Sequence, residues 1–444
     1  MSSWLLLTDR RLQVYCIGIF LLHVSLGALR FIFPFQIILM GGSTSLVSIG
    51  SSILAIGQLV VFLVLTSLLV SIRSRFLIAG LCTLSTASLM AFMTEPSVFV
   101  WVRLFEGMAY GLYFLALIKI AIRFATRQGE VLGGLFASVF SGLAIGQVLA
   151  GIGWQMIEVT IPMLSSLQIL QIIAAIGFAL SILAWGMLMP LLPSYDQKKQ
   201  IFLKQKWALP HFHLNSWIKN FMFLPAVLLL ALIYGIYDFA HGFYTPNLSI
   251  LLNQNGFNTP SISLGYFFAD LTWGLSQILA GRLIDKIGYS IPLVISLILK
   301  GFIILFYPGV TLLFLLFGVL FLAGLSEGLL EPARNKAALA FELEDQNYRH
   351  LHAHLDLGFT QGTGFVLGIH SHEHEHNLQP ENIIGVFKSV GLLCFGIGSL
   401  LGSFLLEEGL SLAQVTQLGG FMLALAGLTA ILFSIVQTRS KKEP

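Results

Sequence analysis

The sequence predicts an all-α polytopic membrane protein, and three observations support this prediction. Hydrophobic residues make up 56% of the 444 residues, charged residues make up only 10%, and the mean hydropathy is +0.87. Soluble chains usually carry about a quarter of their residues as charged ones, so this chain has too little charge to cover a surface in water. The apolar residues fall in long runs, and the basic residues are concentrated between alternate runs.

Twelve apolar runs are long enough to cross a bilayer, because a helix needs about 20 mainly apolar residues to span a hydrocarbon core of roughly 30 Å. They lie at 13–39, 46–70, 76–94, 97–122, 131–154, 167–191, 221–248, 264–284, 290–307, 309–331, 384–405 and 411–436. The first run lacks a small-residue cleavage site, so we expect it to be a retained helix and not a signal peptide.

The basic residues orient the chain, because cytoplasmic loops of membrane proteins are enriched in Lys and Arg. With the N-terminus inside, the outer segments at 41–46, 95–96, 155–166, 249–262, 308 and 406–410 contain no Lys or Arg. The pattern predicts twelve spans with both termini in the cytoplasm. The short apolar segment from Leu355 to Ile369 would place Arg439 and Lys441 outside if it were a further span, so we interpret it as a re-entrant or interfacial segment on the cytoplasmic side.

The chain divides into two halves that share a sequence pattern. A Lys-rich polar stretch separates six spans from six, which predicts an N-terminal bundle at 1–192, a cytoplasmic linker at 193–220 and a C-terminal bundle at 221–444 with an insert at about 341–383. Two patterns recur: Phe31-x-x-Pro34-x-x-x-Ile38-Leu39 as Phe243-x-x-Pro246-x-x-x-Ile250-Leu251, and Gly107-x3-Gly111-x7-Lys119 as Gly324-x3-Gly328-x7-Lys336. Such repetition indicates an internal duplication.

A local motif follows the eighth span: Gly281-Arg282-Leu283-Ile284-Asp285-Lys286-Ile287-Gly288. It resembles the loop signature G-x-L-x-D-x-x-G of the major facilitator superfamily, which the chain resembles over nearly its whole length. The resemblance implies two pseudo-symmetric six-helix bundles, alternating access, and a gating role for Gly281, Asp285 and Gly288. The equivalent segment of the first half, 66–73, has neither an acidic residue nor a glycine.

Two further motifs resemble family signatures. Arg103-x-x-Glu106-Gly107 in the fourth span is similar to an R-x-x-x-G motif associated with proton coupling. Gly142-x3-Gly146-x4-Gly151 in the fifth span resembles the antiporter signature without its proline. Together they favour a drug-like or small-solute efflux transporter.

Ionisable residues inside the spans are candidates for function, because such groups are costly in a bilayer unless they face a cavity or a partner. Most lie on spans one, four, seven and ten, which line the central cavity in the resembled family. The candidates for a solute and proton pathway are Arg30, Arg103, Glu106, Asp238, His241, Asp270, Glu327 and Glu331.

Some of these charges could simply neutralise one another. Arg103 with Glu106, and Glu331 with Arg334, lie one helical turn apart, and we expect Lys300 to reach a partner or the interface. In contrast, Asp238, Asp270 and Glu327 have no obvious cation nearby in sequence, so we expect them to face the cavity. Apolar surroundings disfavour a charged carboxylate, which would let a proton bind and leave.

The insert between spans ten and eleven holds seven of the eleven histidines, and neutral imidazole is a good ligand for zinc, nickel, cobalt or copper. These are His350, His352, His354, His370, His372, His374 and His376. A solvated loop with incidental affinity is the alternative. Apart from a divalent metal at this insert, no cofactor is expected.

The favoured function is proton-coupled export of a small organic molecule. Divalent-metal efflux that uses the insert is the alternative within transport, and a non-transporting receptor or intramembrane enzyme is the alternative outside it. We expect no enzyme, because no nucleotide-binding loop, HExxH helix or G-x-S-x-G elbow occurs. The expected partners are a small solute, protons and the lipid bilayer, without nucleic acid, for a monomer in the bacterial inner membrane.

The predicted orientation can be tested by cysteine labelling in a Cys-free background. A cysteine at position 372 should react with an impermeant reagent only after the membrane is permeabilised, because the insert is predicted to face the cytoplasm. A cysteine at position 408, in a predicted outer loop, is the matched control that should react in intact cells. Labelling of position 372 from outside would contradict the twelve-span topology.

Overall fold

The computed structural model describes residues 10–62, 72–122, 128–190, 225–358 and 380–440, and these ranges form helices without a strand. Twelve long helices occur in them, in the predicted order. They are α1 (Arg10–Leu39), α2 (Thr44–Val60), α3 (Ile72–Phe92), α4 (Val102–Ile122), α5 (Gln128–Thr160), α6 (Ser166–Leu188), α7 (Pro225–Tyr244), α8 (Thr259–Ile287), α9 (Ser290–Phe306), α10 (Leu313–Gly358), α11 (Pro380–Glu407) and α12 (Leu412–Ser440). The all-helical fold class is confirmed.

Ten helical segments of the described ranges are long and apolar enough to cross a membrane. Two of the twelve long helices do not meet these criteria. The helix α2 is apolar but too short, at Thr44–Val60, and α8 carries the buried polar residues Asp270, Ser276 and Gln277. Large apolar side chains cover the outside of the bundle, with Leu279 and Phe314 about two-thirds exposed (67% and 69%). Water-soluble proteins avoid such extensive apolar surfaces, and the chain is an integral multi-pass membrane protein.

The helices pack mainly within two groups that correspond to the two sequence repeats. In the first group α1 packs against α5 and α6, and in the second group α7 packs against α11 and α12. Two pairs make most of the contacts between the groups, α5 with α8 and α2 with α11. The linker at 193–220 lies outside the described residues. The insert predicted at 341–383 is described only at its two ends. Residues 341–358 form the end of α10 and residues 380–383 form the start of α11, while residues 359–379 lie outside the described ranges.

Glycines allow pairs of helices to approach at backbone distance. A methyl group added at Gly146 of α5 would lie 2.0 Å from the carbonyl oxygen of Val24 in α1. The repeat-related glycines Gly107 and Gly324 face the carbonyl oxygens of Leu54 and Ala269 at the same 2.0 Å. Small residues at these crossings let the backbones meet, which is how helices associate in lipid.

The repeated proline has different effects in the two halves. Pro34 lies inside the continuous helix α1, whereas Pro246 lies in a 3₁₀ turn, Thr245–Asn247, between α7 and a short helix at Leu248–Gln254. Proline removes one backbone donor and crowds the preceding turn, so a helix can either bend around it or end there. The seventh predicted span, 221–248, therefore contains a helix end that the first span does not.

The close packing at Gly146 can be tested against a second glycine of the same helix. Gly146→Ala should lower the melting temperature of the purified protein, because overpacking costs about 1–3 kcal/mol. Gly153→Ala is the matched control, since nothing lies within 4 Å of its added methyl group. Equal melting temperatures for the two variants would contradict the packing described for α1 and α5.

Candidate functional site

A cavity of about 340 Å³ lies between the two groups of helices. Residues of α1, α2, α4 and α5 line it from the first half, and residues of α7 to α11 line it from the second. This volume falls at the lower end of the range for small-molecule sites. Aromatic side chains form much of the wall, namely Phe31, Phe33, Tyr110, Tyr244, Tyr266, Trp273, Tyr307 and Phe395.

Hydrogen bonds between the halves close the cavity at the ends that the charge pattern predicts to be outside. The hydroxyl of Ser45 in α2 donates to Glu407 Oε1 at the end of α11, at 2.5 Å. The hydroxyl of Ser403 donates to the carbonyl oxygen of Ser45 at 3.2 Å, and Asn247 Nδ2 donates to Ser48 Oγ at 2.7 Å. We refer to these five residues as the outer seal.

The pair on α4 forms as predicted. A guanidinium nitrogen of Arg103 donates to Glu106 Oε2, and the Arg103 guanidinium carbon lies 4.5 Å from the centre of the Phe33 ring. Arg103 lines the cavity, whereas Glu106 is fully buried. Arg103 Nε and Glu106 Oε1 have no hydrogen-bond partner in the described part of the chain, so the pair neutralises its charges without satisfying all of its polar atoms.

Glu327 of α10 lies at the centre of a polar cluster with α7 and α9. Lys300 Nζ is 3.0 Å from Glu327 Oε1, and the Tyr237 hydroxyl donates to the same carboxylate at 2.5 Å. His241 Nε2 is 3.5 Å from Glu327 Oε1, while its other ring nitrogen is 3.1 Å from the Thr245 hydroxyl. Lys300 thus reaches a partner, which is one of the two alternatives expected from sequence, and Glu327 is held by three side chains.

A second ionic cluster joins α7, α10 and α11. Arg334 donates to Glu331 at 2.8 Å and lies 3.5 Å from Asp238 Oδ2, and Lys388 donates to Glu331. Asp238 and Glu327 line the cavity, and their cations, which the neighbouring sequence does not contain, come from other helices. Lys388 was missed, although it was visible as a charged residue inside the predicted span 384–405.

Asp270 of α8 has a neutral partner from the opposite half. Gln147 Nε2 in α5 donates to Asp270 Oδ2 at 2.9 Å, and both side chains are buried. No ion pair joins Asp270 to another described residue, which agrees with the expectation from sequence. The amide oxygen of Gln147 has no hydrogen-bond partner among the residues that the structure describes. Gln147 was also missed, although an amide within an apolar span is a comparable signal.

Arg30 of α1 borders the same part of the cavity from the first half. Its guanidinium makes no hydrogen bond or ion pair with the described part of the chain, but its charge interacts with those of Asp270 and Glu106. Among the described residues, the cavity therefore presents one cation and one anion, on opposite halves, that are not directly paired.

The other predicted sites are only partly described. Gly288 ends α8 with a φ of +79°, a conformation that favours glycine, as the loop motif requires. Gly281 lies within α8, and the side chain of Asp285 is outside the description. His350, His352 and His354 lie on α10, but their side chains are not described, and residues 370–376 lie outside the described ranges. Within those ranges no group of three or more His, Cys, Asp or Glu residues could hold a metal ion.

Comparison with known proteins agrees with this architecture. A family model described as Major Facilitator Superfamily matches residues 15–341. The crystal structure of the nucleoside transporter NupG is similar with a TM-score of 0.64 and 13% identity over 96% of this chain and 99% of that one. An aspartate-to-alanine mutant of NupG gives a TM-score of 0.66 and 14% identity over 96% and 100%. No curated protein sequence matches the chain.

At such low identity the two structures show a shared fold and nothing finer. The family match is independent of them and covers well over half of the chain. The predicted family and the expectation of a transporter and not an enzyme are confirmed. This chain belongs to the Major Facilitator Superfamily of membrane transporters.

Proposed function

We propose that the protein moves a small polar organic solute across the membrane by alternating access, coupled to protons through Asp270. The observation that carries this proposal is the cavity between the halves, whose wall holds buried polar atoms without partners. Judged against the described residues alone, they are Arg103 Nε, Tyr110 OH, Gln147 Oε1 and Trp273 Nε1. Unpaired buried donors and acceptors are unfavourable, so a solute that supplies both kinds of partner would be stabilised there.

The nature of the outer seal supports alternating access. Its bonds join hydroxyl, amide and carboxylate groups that water can solvate once the halves separate. A hydrogen bond of this kind contributes a net of only about 0.5–1.5 kcal/mol, since its partners bond water when it breaks. The seal can therefore hold the outer ends together and still open on a free energy that solute binding supplies.

Asp270 is better suited to carry protons than the other two cavity carboxylates. Protonation of Glu327 would leave Lys300 as a buried cation without its closest partner, and protonation of Asp238 would weaken the contact with Arg334. Loss of one partner from a buried ion pair typically costs about 3–5 kcal/mol. Asp270 has no ion pair to lose, because its hydrogen bond is to an amide.

Gln147 can remain hydrogen-bonded to Asp270 in both protonation states. When the carboxylate is ionised, it accepts a hydrogen bond from the amide nitrogen, as observed. When it is protonated, its hydroxyl can donate to the amide oxygen, which is free, after the amide turns over. Three other charged groups act on Asp270: Arg30 from α1, Lys300 from α9 and Glu327 from α10.

We propose export as the direction of transport. If the solute and the proton compete for Asp270, protons that enter down their gradient drive the solute outward. The similarity in fold to NupG makes nucleosides one solute class to test, and the aromatic wall is compatible with stacking on a base. Radiolabelled nucleosides and amino acids in proteoliposomes under an imposed pH gradient are the appropriate first assay.

Neutralisation of Asp270 should separate proton coupling from transport itself. Asp270→Asn keeps the bond to Gln147 but cannot titrate, so uphill transport should fall about tenfold or more, while solute exchange without a gradient, measured at saturating solute, continues. Exchange in the variant should also lose its dependence on pH. Asp238→Asn and Glu327→Gln are the comparisons, and we expect both to reduce exchange as well, because they disrupt ion pairs. Full uphill transport by Asp270→Asn with an unchanged pH profile would rule out this role.

Divalent-metal efflux is the second candidate function, and the histidine-rich insert is the observation that favours it. The membrane histidines do not support metal as the solute. His23 Nδ1 donates to the carbonyl oxygen of Ile19 in its own helix at 2.8 Å, and the centre of its ring lies 5.6 Å from that of Tyr113. Only His241 of the two lines the cavity. We therefore assign the insert a regulatory metal-binding role.

Equilibrium binding of zinc and nickel tests this ranking. Replacement of His370, His372, His374 and His376 with Ala should abolish binding and any response of transport to metal, while transport of the organic solute continues. His23→Ala is the control in the membrane region and should retain metal affinity. Micromolar affinity that is lost only in His23→Ala would place metal ahead of the organic solute.

A further inference from the structure

Arg30 and Asp270 define what kind of solute the cavity can take, and the argument rests on the proposed function of that cavity. We propose that the solute is a zwitterion of the amino-acid class, whose carboxylate binds Arg30 and whose ammonium binds Asp270 and Gln147. The two charges come from opposite halves, so the solute would join the first half to the second.

Arg30 is suited to a carboxylate. Its guanidinium borders the cavity and has no hydrogen bond or ion pair within the described ranges, unlike Arg103 and Arg334. A guanidinium offers a planar pair of N–H groups whose geometry matches the two oxygens of a carboxylate. A cation at this depth needs an anion close by, and Asp270 interacts with the Arg30 charge without forming a direct ion pair.

Asp270 and Gln147 together suit an ammonium group. The Gln147 amide nitrogen donates to Asp270 Oδ2, so the second carboxylate oxygen, Oδ1, takes no part in this bond, and Gln147 Oε1 has no hydrogen-bond partner in the described ranges. A primary ammonium has three N–H donors and can satisfy both acceptors at once. A quaternary ammonium has no N–H group, so we expect it to bind poorly.

The charge balance of the cavity favours a solute with both charges. The remaining cavity cations are already paired, Arg103 with Glu106 and Lys300 with Glu327. A monoanion at Arg30 would leave ionised Asp270 unpaired, and a monocation at Asp270 would leave Arg30 unpaired. Uncompensated charge is strongly unfavourable in such surroundings, whereas a zwitterion pairs all four charges and adds no net charge.

The surrounding wall would hold an apolar side chain. The rings of Phe31 and Tyr266 meet edge to face with centroids 6.2 Å apart, one from each half, and Trp273 stacks on Phe140 at 4.0 Å. Protonated Asp270 cannot pair with an ammonium, so the proton and the solute exclude each other. The same geometry therefore accounts for exchange of one for the other.

A matched charge series tests the proposal on the full-length purified protein. The twenty standard amino acids and uridine are first compared by thermal stabilisation. The strongest amino acid is then compared with its amide, which is a cation, its N-acetyl form, which is an anion, and its N-acetyl amide, which is neutral. The zwitterion should bind at least about 30-fold more tightly than any of the three, the loss expected when one partner of a buried charge pair is removed.

The variants assign each charge to its residue. The Arg30→Gln variant should bind the zwitterion only as tightly as the unchanged protein binds the amide. Arg30→Lys should restore part of the lost affinity. Asp270→Asn should bring the zwitterion to the affinity of the N-acetyl form. Glu408→Gln, in an exposed turn, is the control that should leave the series unchanged.

Failure of this inference can be told apart from failure of the proposed function. Equal affinities for the four charge forms, or stabilisation by uridine and by no amino acid, would overturn the proposal that the solute is a zwitterion. Proton-driven uptake of uridine would in that case still support the transporter function. If an amino acid shows the predicted series but is never transported under a pH gradient, the coupling proposal fails and the binding site stands. Unchanged ratios in Arg30→Gln would also overturn the inference.

Discussion

The structure depends above all on the cost of placing charge in a lipid environment. An ionised group among hydrocarbon chains must find a counter-charge or water, and only the interior of the bundle offers either. Six described charged residues of the spans accordingly pair inside the bundle: Glu327 meets Lys300, Asp238 meets Arg334, and Arg103 meets Glu106. The outside is left to Leu, Ile and Phe. The position of the cavity follows from this division, because it is the region in which unpaired polar groups can persist.

The same constraint explains how much could be predicted from sequence. Each span is a local feature, since an apolar run and the charges at its ends are read from neighbouring residues. The fold class, the order of the helices and the pairs one turn apart, such as Glu331 with Arg334, were therefore accessible. Contacts between helices were not, because nothing in the sequence brings Lys388 to Glu331 or Gln147 to Asp270. Two carboxylates that seemed isolated along the chain proved to be ion-paired across helix boundaries.

Symmetry of sequence also proved to be a limited guide to symmetry of structure. The repeated glycines Gly107 and Gly324 have the same role, each against a backbone carbonyl of the neighbouring helix. The repeated prolines do not, since α1 continues through Pro34 and α7 ends before Pro246. Whether a helix passes a proline depends on its neighbours, and the two halves provide different ones. Duplicated sequence thus preserved the helix crossings and allowed one helix end to diverge.

The 3₁₀ turn at the end of α7 has a mechanical consequence. Thr245 and Pro246 line the cavity, and the next residue, Asn247, forms part of the outer seal through Ser48. One short segment, the 3₁₀ turn, therefore both lines the cavity and takes part in the outer seal. Two sites that share a rigid body are linked reciprocally, because a free energy that shifts one shifts the other by the same amount. A solute that moves this segment when it binds therefore weakens or strengthens the outer seal. Opening of the outer seal must in turn change the affinity of the cavity for the solute.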